Sequence, residues 1–497
     1  MLLRQASMAV ASCLMVTACQ AGFSPDSSNL EDDTEQAASA LTAGSTRYVS
    51  PDGDDANDGR TARRAKRTIQ GAITSLGPSP SGVIRLSEGE YSEPFNLEDA
   101  NDLTIVGAGE SRTTLHPRST VGWNVLTYGE SRRAAFRVAR SRDVTIRGVT
   151  FDFEAVHGDL VAGLLLWDST ATVRRNTFTN MSSDASYYEF TVYASAPSFT
   201  AENRARVTFL HNTFARTGRV GVLLHTQVDG AITGNTFYNQ HDFGYAIEVS
   251  SQATANIVDN LINGYSTVAA SDGSASAGVL IDNSFTQGAA HIEKRVTLRA
   301  NELYDNGYGV SIGNAYAGLA GDVDVVVDLS ANVIRDNHVA GVQIVDEGRA
   351  GGSSVTVESR GDTVIDNGQY GYLVQTFGNG EVRASLTRQV LRGQPRGLAL
   401  LEDTGASVQD VSIHDSVIRD HGIAAIDNAG PGVVDATSNW WGTRYGPLDA
   451  TGTTEVDARN CSSVMLSDRL NQQLDTDLGN PVLGAVNYCD WLSRAPR

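Results

Sequence analysis

Apolar and polar positions alternate in short bursts along most of this chain. The clearest stretch is 207–249, VTFLHNTFARTGRVGVLLHTQVDGAITGNTFYNQHDFGYAIEV. An apolar strand runs into Asn-Thr-Phe at 212–214 and again at 235–237. A polar turn follows each time, and a glycine, Gly221 or Gly244, opens a second short apolar strand. The two copies are offset by 23 residues. A unit that short cannot bury its own apolar face, so it reads as one coil of a solenoid.

The same unit recurs from 140 to 440 without a break. The apolar residue two places after the Asn-like position forms a column: Phe178, Phe214, Phe237, Ile262, Leu303, Ile334, Ile365, Leu391 and Ile418. Successive offsets are 36, 23, 25, 41, 31, 31, 26 and 27. Core strands of constant type joined by turns of varying length are what protruding loops on a fixed coil produce. Asn176, Asn212, Asn235, Asn260, Asn301 and Asn332 are expected to stack as an amide ladder at one turn, a structural role. The predicted fold is therefore all-β, a single-stranded parallel β-helix of about twelve coils and about 60 Å, given 4.8 Å per coil.

The ends differ from the middle. Residues 1–19 read as an export signal, with Arg4 ahead of an apolar stretch ending Val-Thr-Ala-Cys. That ending resembles the lipobox of bacterial lipoproteins. The resemblance implies a lipid anchor on Cys19, and Gln20 after it implies outer-membrane sorting or display at the cell surface. Residues 20–46, with five acids and no base, read as a disordered tether. Ile69, Ala72, Ile73 and Leu76 are spaced for a short helix. The order YVSPDGDDANDG, TIQGAI, GVIRLSEGEY resembles the start of secreted right-handed parallel β-helix proteins of the pectin-lyase-like group, family-nine polysaccharide lyases among them. That resemblance implies a right-handed coil with the helix capping its open N-terminal end, where core and unpaired backbone would otherwise be exposed. The acids at 52–58 do not fit a calcium loop, because Ala56 breaks the spacing, and are read as a turn. The β-helix is expected over 47–447 and a capping tail over 448–497. SNWWGTRYGP resembles the terminal coil of surface β-helix proteins, so Trp440, Trp441 and Trp491 are expected over the last apolar layer. In an exported chain, Cys461 and Cys489 suggest a disulfide tying this tail.

Composition and charge narrow the function. Glycine is frequent, with 49 residues, as many tight turns require. The net charge is −20, which argues against nucleic acid and against any membrane contact other than a lipid anchor. Lysine occurs only at 66 and 294, so a lysine-based mechanism has few candidates.

Alternation along the Gly-opened strands assigns outward residues. Reading Gly244 as the counterpart of Gly221 gives one outer column with Trp167, His225, Glu248, Asp282 and Gly313. Long insertions flank it, carrying Tyr187, Tyr188 and Tyr193 on one side and His291, Glu293, Lys294 and Arg295 on another. A polar line walled by Trp167, Tyr188 and Tyr193 suits sugar rings. Glu248 and Asp282 on neighbouring coils would stand about 5 Å apart, near the spacing of a retaining glycosidase pair. Alternatively His225, Glu248 and Asp282 would hold a hard cation such as Ca2+ while Lys294 or Arg295 acts as the base of a β-elimination. The related lyases use a lysine or arginine base on this fold, but neither residue falls on their motifs. The Asp-Pro-His signature of mannuronan epimerases is absent, as is a soft copper site. The plain alternative is that all three residues are ordinary solvated strand positions. The expected function is engagement of polysaccharide, as a lyase or hydrolase, with a non-catalytic glycan-binding or adhesive rod as the rival.

Overall fold

The computed structural model describes residues 45–123, 132–156, 162–181, 189–240, 243–267, 275–282, 292–313, 323–346, 354–402, 407–444, 446–449 and 479–496. Residues 1–44, with Cys19, lie outside that set, as do Tyr187, Tyr188, His291 and Cys461. No helix among the described residues is long and apolar enough to cross a membrane.

From Thr46 onward the described residues wind as a right-handed parallel β-helix, and their strands fall into three long sheets of fifteen, twelve and fifteen strands. One coil shows the plan. Ala205–Leu210 lies in the first sheet, Thr213–Ala215 in the second and Val220–His225 in the third, and Val228–Thr233 returns to the first sheet one layer on. Fifteen layers at about 4.8 Å extend about 67 Å. Strands after residue 447 join the same stack: Gly479–Gly484 pairs with Ala424–Asn428 in the third sheet, and Val486–Asn487 with Val434–Asp435 in the first.

The core is built of columns. Phe178, Phe214, Phe237, Ile262, Leu303 and Ile334 pair in register and are fully buried. The Phe151, Phe178, Phe214 and Phe237 rings stack at 4.6, 4.8 and 4.5 Å. The next member is Val364 and not Ile365, since Ile334 pairs with Val364 and Val364 with Leu391. The reason is that Asp362 occupies the Asn position in this coil, one residue earlier than an alignment on Thr-Val-Ile suggests.

The bulky column needs space, and the third sheet supplies it. A Cβ at Gly221 would stand 3.2 Å from the Phe237 ring and 2.5 Å from the Ala246 carbonyl. This glycine is retained for close approach, whereas Gly244 sits at φ 148°, a conformation side chains avoid.

The turn between the first and second sheets has two residues. The first is left-handed: Arg175, His211, Gly234, Asp259, Ala300 and Ala331 have φ between 52° and 64°. For a non-glycine residue this conformation is costly. The second residue offsets the cost. Asn212 donates its N–H and Nδ2 to Asn235 Oδ1 at 2.8 and 2.9 Å, and the same pair of bonds links each rung from Asn176 to Asn332. The ladder ends on Asp362, whose Oδ1 accepts from Asn332 at 2.7 and 2.8 Å. A second ladder, Asn306, Asn337 and Asn367, runs along the turn after the second sheet.

Both ends are closed. The helix Ile69–Ser75 buries Ile69, Ala72 and Ile73, and the Thr68 side chain caps it by accepting from the Gly71 N–H. Asp55 is occupied in the same turn, accepting from Arg67 N–H, Thr68 N–H and the Thr68 hydroxyl. At the far end Trp441 is fully buried and Trp491 is 8% exposed, its Nε1 donating to the Arg444 carbonyl. Trp440 departs from the expectation. It is half-buried, because adjacent residues of an extended segment face opposite ways and Trp441 takes the inside. Cys489 is buried and disulfide-bonded.

Candidate functional site

The candidate residues stand on the outer face of the third sheet, and its register corrects the expected column. Val220 pairs with Tyr245, so Gly221 is the counterpart of Ala246, not of Gly244. Leu165, Tyr193, Leu223, Glu248 and Leu280 therefore form one outward column. Trp167, Ser195 and His225 belong to another, two residues along, as does Asp282, which pairs with Gly313. Glu248 and Asp282 are on adjacent coils but offset by two residues, placing their Cα atoms about 8 Å apart by strand geometry rather than about 5 Å. The close retaining-type pair expected from the sequence is not formed.

The outward column is apolar around Glu248. Leu165, Tyr193, Val220, Leu223, Tyr245 and Leu280 are buried against each other on the outside of the coil, and Trp167, Phe190 and Phe243 pack on them. Tyr193 approaches His225 edge-on at 6.0 Å between ring centres. Arg219 lies over the Phe243 and Tyr245 rings at 4.6 and 5.7 Å. Glu248 thus stands half-buried in a mostly hydrocarbon setting.

The remaining charge comes from inside. In Ile292–Arg299 the side chains of Val296 and Leu298 face the core, and Lys294 shares their parity. Its side chain is 1% exposed. The ammonium donates to the Val249 carbonyl at 2.5 Å and to the Asp282 carbonyl. It therefore lies beneath the sheet at the strands that carry Glu248 and Asp282. Arg295 has the opposite parity and is exposed, paired with Asp328 at 3.0 Å and Glu293 at 3.5 Å. It does not join the cluster.

Titration follows this arrangement. Burial, and next the Asp282 charge, push the Glu248 carboxyl up to about 8, while Arg219 and Lys294 oppose the rise. Burial drives the Lys294 ammonium down to about 8, opposed by Asp282 and Glu248. Burial, then Lys294, drives His225 down to about 4. At neutral pH the site combines a protonated Glu248, a neutral His225 and an ammonium below them. A carboxyl that holds its proton near neutrality can donate it to a leaving oxygen. Among the described residues no three His, Cys, Asp or Glu side chains group closely enough to hold a metal, so His225, Glu248 and Asp282 do not form the expected cation site.

Of the residues singled out in the sequence, His225, Glu248, Asp282 and Lys294 are brought together, Trp167 and Tyr193 border them, and Arg295 points away. Arg219 was missed. Its signal was its place in the turn just before Val220, beside Phe243 and Tyr245 of the next coil.

The profile of the family described as "Right handed beta helix region" matches residues 119–286. No curated protein sequence matches the chain. Among solved structures, the chain is similar to the periplasmic alginate epimerase AlgG, at 14% identity and TM-score 0.46 over 71% of this chain and 75% of that one. It is similar to the A-module of the Azotobacter vinelandii mannuronan C-5 epimerase AlgE6, at 15% identity and TM-score 0.45 over 73% and 95%. It is also similar to the catalytic domain of a GH87 alpha-1,3-glucanase in complex with nigerose, at 13% identity and TM-score 0.41 over 73% and 64%. At this level the likeness is one of fold.

Proposed function

We propose that this protein is an exported, lipid-anchored enzyme that cleaves polysaccharide on the outer face of the third sheet, with Glu248 as proton donor. The observation that carries the reading is the Glu248 environment: a carboxyl half-buried among Leu223, Leu280 and aromatic rings, with Lys294 beneath the same strands. Glu248 holds its proton at neutral pH and gives it to the glycosidic oxygen as the C–O bond breaks, while a water molecule adds to the anomeric carbon and its released proton restores the Glu248 carboxyl. Asp282, beside it on the outer face, and Lys294, beneath the sheet, are positioning residues that set the charge around it. The half-buried rings of the aromatic border, Trp167 and Phe243, give sugar rings flat apolar faces to lie on.

The test is turnover across a panel of glycans by the wild type and by Glu248→Gln, His225→Ala and Asp282→Asn. The reading requires cleavage of at least one glycan, abolished by Glu248→Gln. A wild type that retains a glycan on an affinity gel and cleaves none is the adhesive or glycan-binding rod, a reading that the aromatic border also favours. A wild type that does neither is a structural protein.

A further inference from the structure

Beyond Glu248 the outer face of the third sheet changes character. The first outward position of each strand reads Tyr245, Ala277, Tyr308, Ala340, Tyr370, so tyrosines alternate with alanines over five successive coils. Tyr308 and Tyr370 both pack on Ala340, and each is half-buried. Two coils separate them, about 10 Å along the axis, a span comparable to two pyranose rings of an extended chain. Beside them runs a polar row. Ser311 donates to Gln343 Oε1 at 3.0 Å, and Gln343 Nε2 donates to Gln375 Oε1 at 3.0 Å. An amide has two donors and two acceptor lone pairs, so this row fixes the orientation of each glutamine and leaves hydrogen-bonding capacity toward solvent.

The charge pattern is equally specific. Between Asp282 and Arg396 the described outward residues are Tyr308, Ser311, Gly313, Ala340, Gln343, Val345, Tyr370, Leu373 and Gln375, with no Asp, Glu, Lys, Arg or His among them. Arg396, where charge resumes, is held by Asp427 at 2.6 Å. The chain as a whole carries −20. A polyuronate needs cations to neutralise it and would be repelled by that field. Alternating rings and oriented amides fit the opposite class.

We infer that the Tyr308–Gln343–Tyr370 strip docks an uncharged polysaccharide laid along the solenoid axis, with every second sugar stacked on a tyrosine and hydroxyls bonded to the glutamine row. This rests on the reading of the third sheet as the glycan-facing surface and adds the class of glycan. The strip would deliver the chain to Glu248 two coils away from Tyr308.

The experiment is calorimetric titration of the intact chain with neutral hexasaccharides, cello- and manno-linked, and with hexagalacturonate as the anionic probe. A neutral hexamer is expected to bind and the anionic one not. Tyr308→Ala and Tyr370→Ala are each expected to weaken binding about tenfold. Tyr308→Leu keeps apolar packing on Ala340 without an aromatic face, so it should melt like the wild type yet lose the same affinity. Tighter binding of hexagalacturonate than of either neutral hexamer overturns the inference, as does binding indifferent to both tyrosines. If Glu248-dependent cleavage persists while the tyrosine variants bind normally, the strip fails and the catalytic reading stands. Tyrosine-dependent binding without turnover upholds the strip and removes the catalytic reading.

Discussion

Replacing Glu248 by glutamine should stabilise the protein while removing its proposed chemistry. The native carboxyl titrates near 8 against an ordinary 4.5, so it stays protonated in the fold at pH values where the unfolded chain has ionised it. A carboxyl with a raised native pKa contributes full stability below its unfolded pKa and loses it as pH climbs to the folded one. The loss grows with pH until the folded carboxyl ionises and, for a half-buried group coupled to Asp282, is on the order of a few kcal/mol. Glutamine has no proton to lose, so Glu248→Gln escapes it. Thermal unfolding followed by circular dichroism should show wild type and variant melting together near pH 4.5, with the variant pulling ahead as pH rises and the gap levelling above pH 8. A gap that does not change with pH, or a variant less stable than wild type at pH 8, would refute the assignment of a half-buried carboxyl that keeps its proton.

Two further outcomes follow from the same geometry. Asn235→Ala removes the acceptor for Asn212 N–H and Nδ2, leaving buried donors unpaired. It should cost about 1–3 kcal/mol in urea unfolding, and Asn235→Asp, which keeps the acceptor, should recover part of that. Lys294→Met removes the cation that holds the Glu248 pKa down. The alkaline limb of any Glu248-dependent pH–rate profile should therefore move to higher pH, and a limb that stays in place would separate Lys294 from the site.

The stack was readable because its signals are local and repeat. Phe214 and Phe237 are fixed two residues past a ladder asparagine, and their register follows directly. The outer face was harder. Gly221 and Gly244 look alike in sequence but answer different needs, one a close approach to the Phe237 ring and the other a positive φ. Treating them as equivalent moved Glu248 by two residues, into the column of His225 and Asp282, whereas the sheet places it in the column of Leu223 and Leu280. Lys294 was named as a base on an insertion loop, yet its parity with Val296 and Leu298 already placed it inside the coil. A charged residue on the core parity of a strand is easily passed over, because burial normally excludes it. The carboxylate at 362, which ends the asparagine ladder, was hidden because Ile365 fits an apolar column as well as Val364 does.

On the proposed reading, glycan meets this protein on the outer face of the third sheet, from Glu248 to Tyr370. The most direct measurement is a crystal structure of the Glu248→Gln variant soaked with a neutral hexasaccharide. Sugar density is expected along the axis, with rings over Tyr308 and Tyr370 and a glycosidic oxygen at the amide that replaces the Glu248 carboxyl. Sugar bound on the first or second sheet, with the third sheet bare, would contradict it.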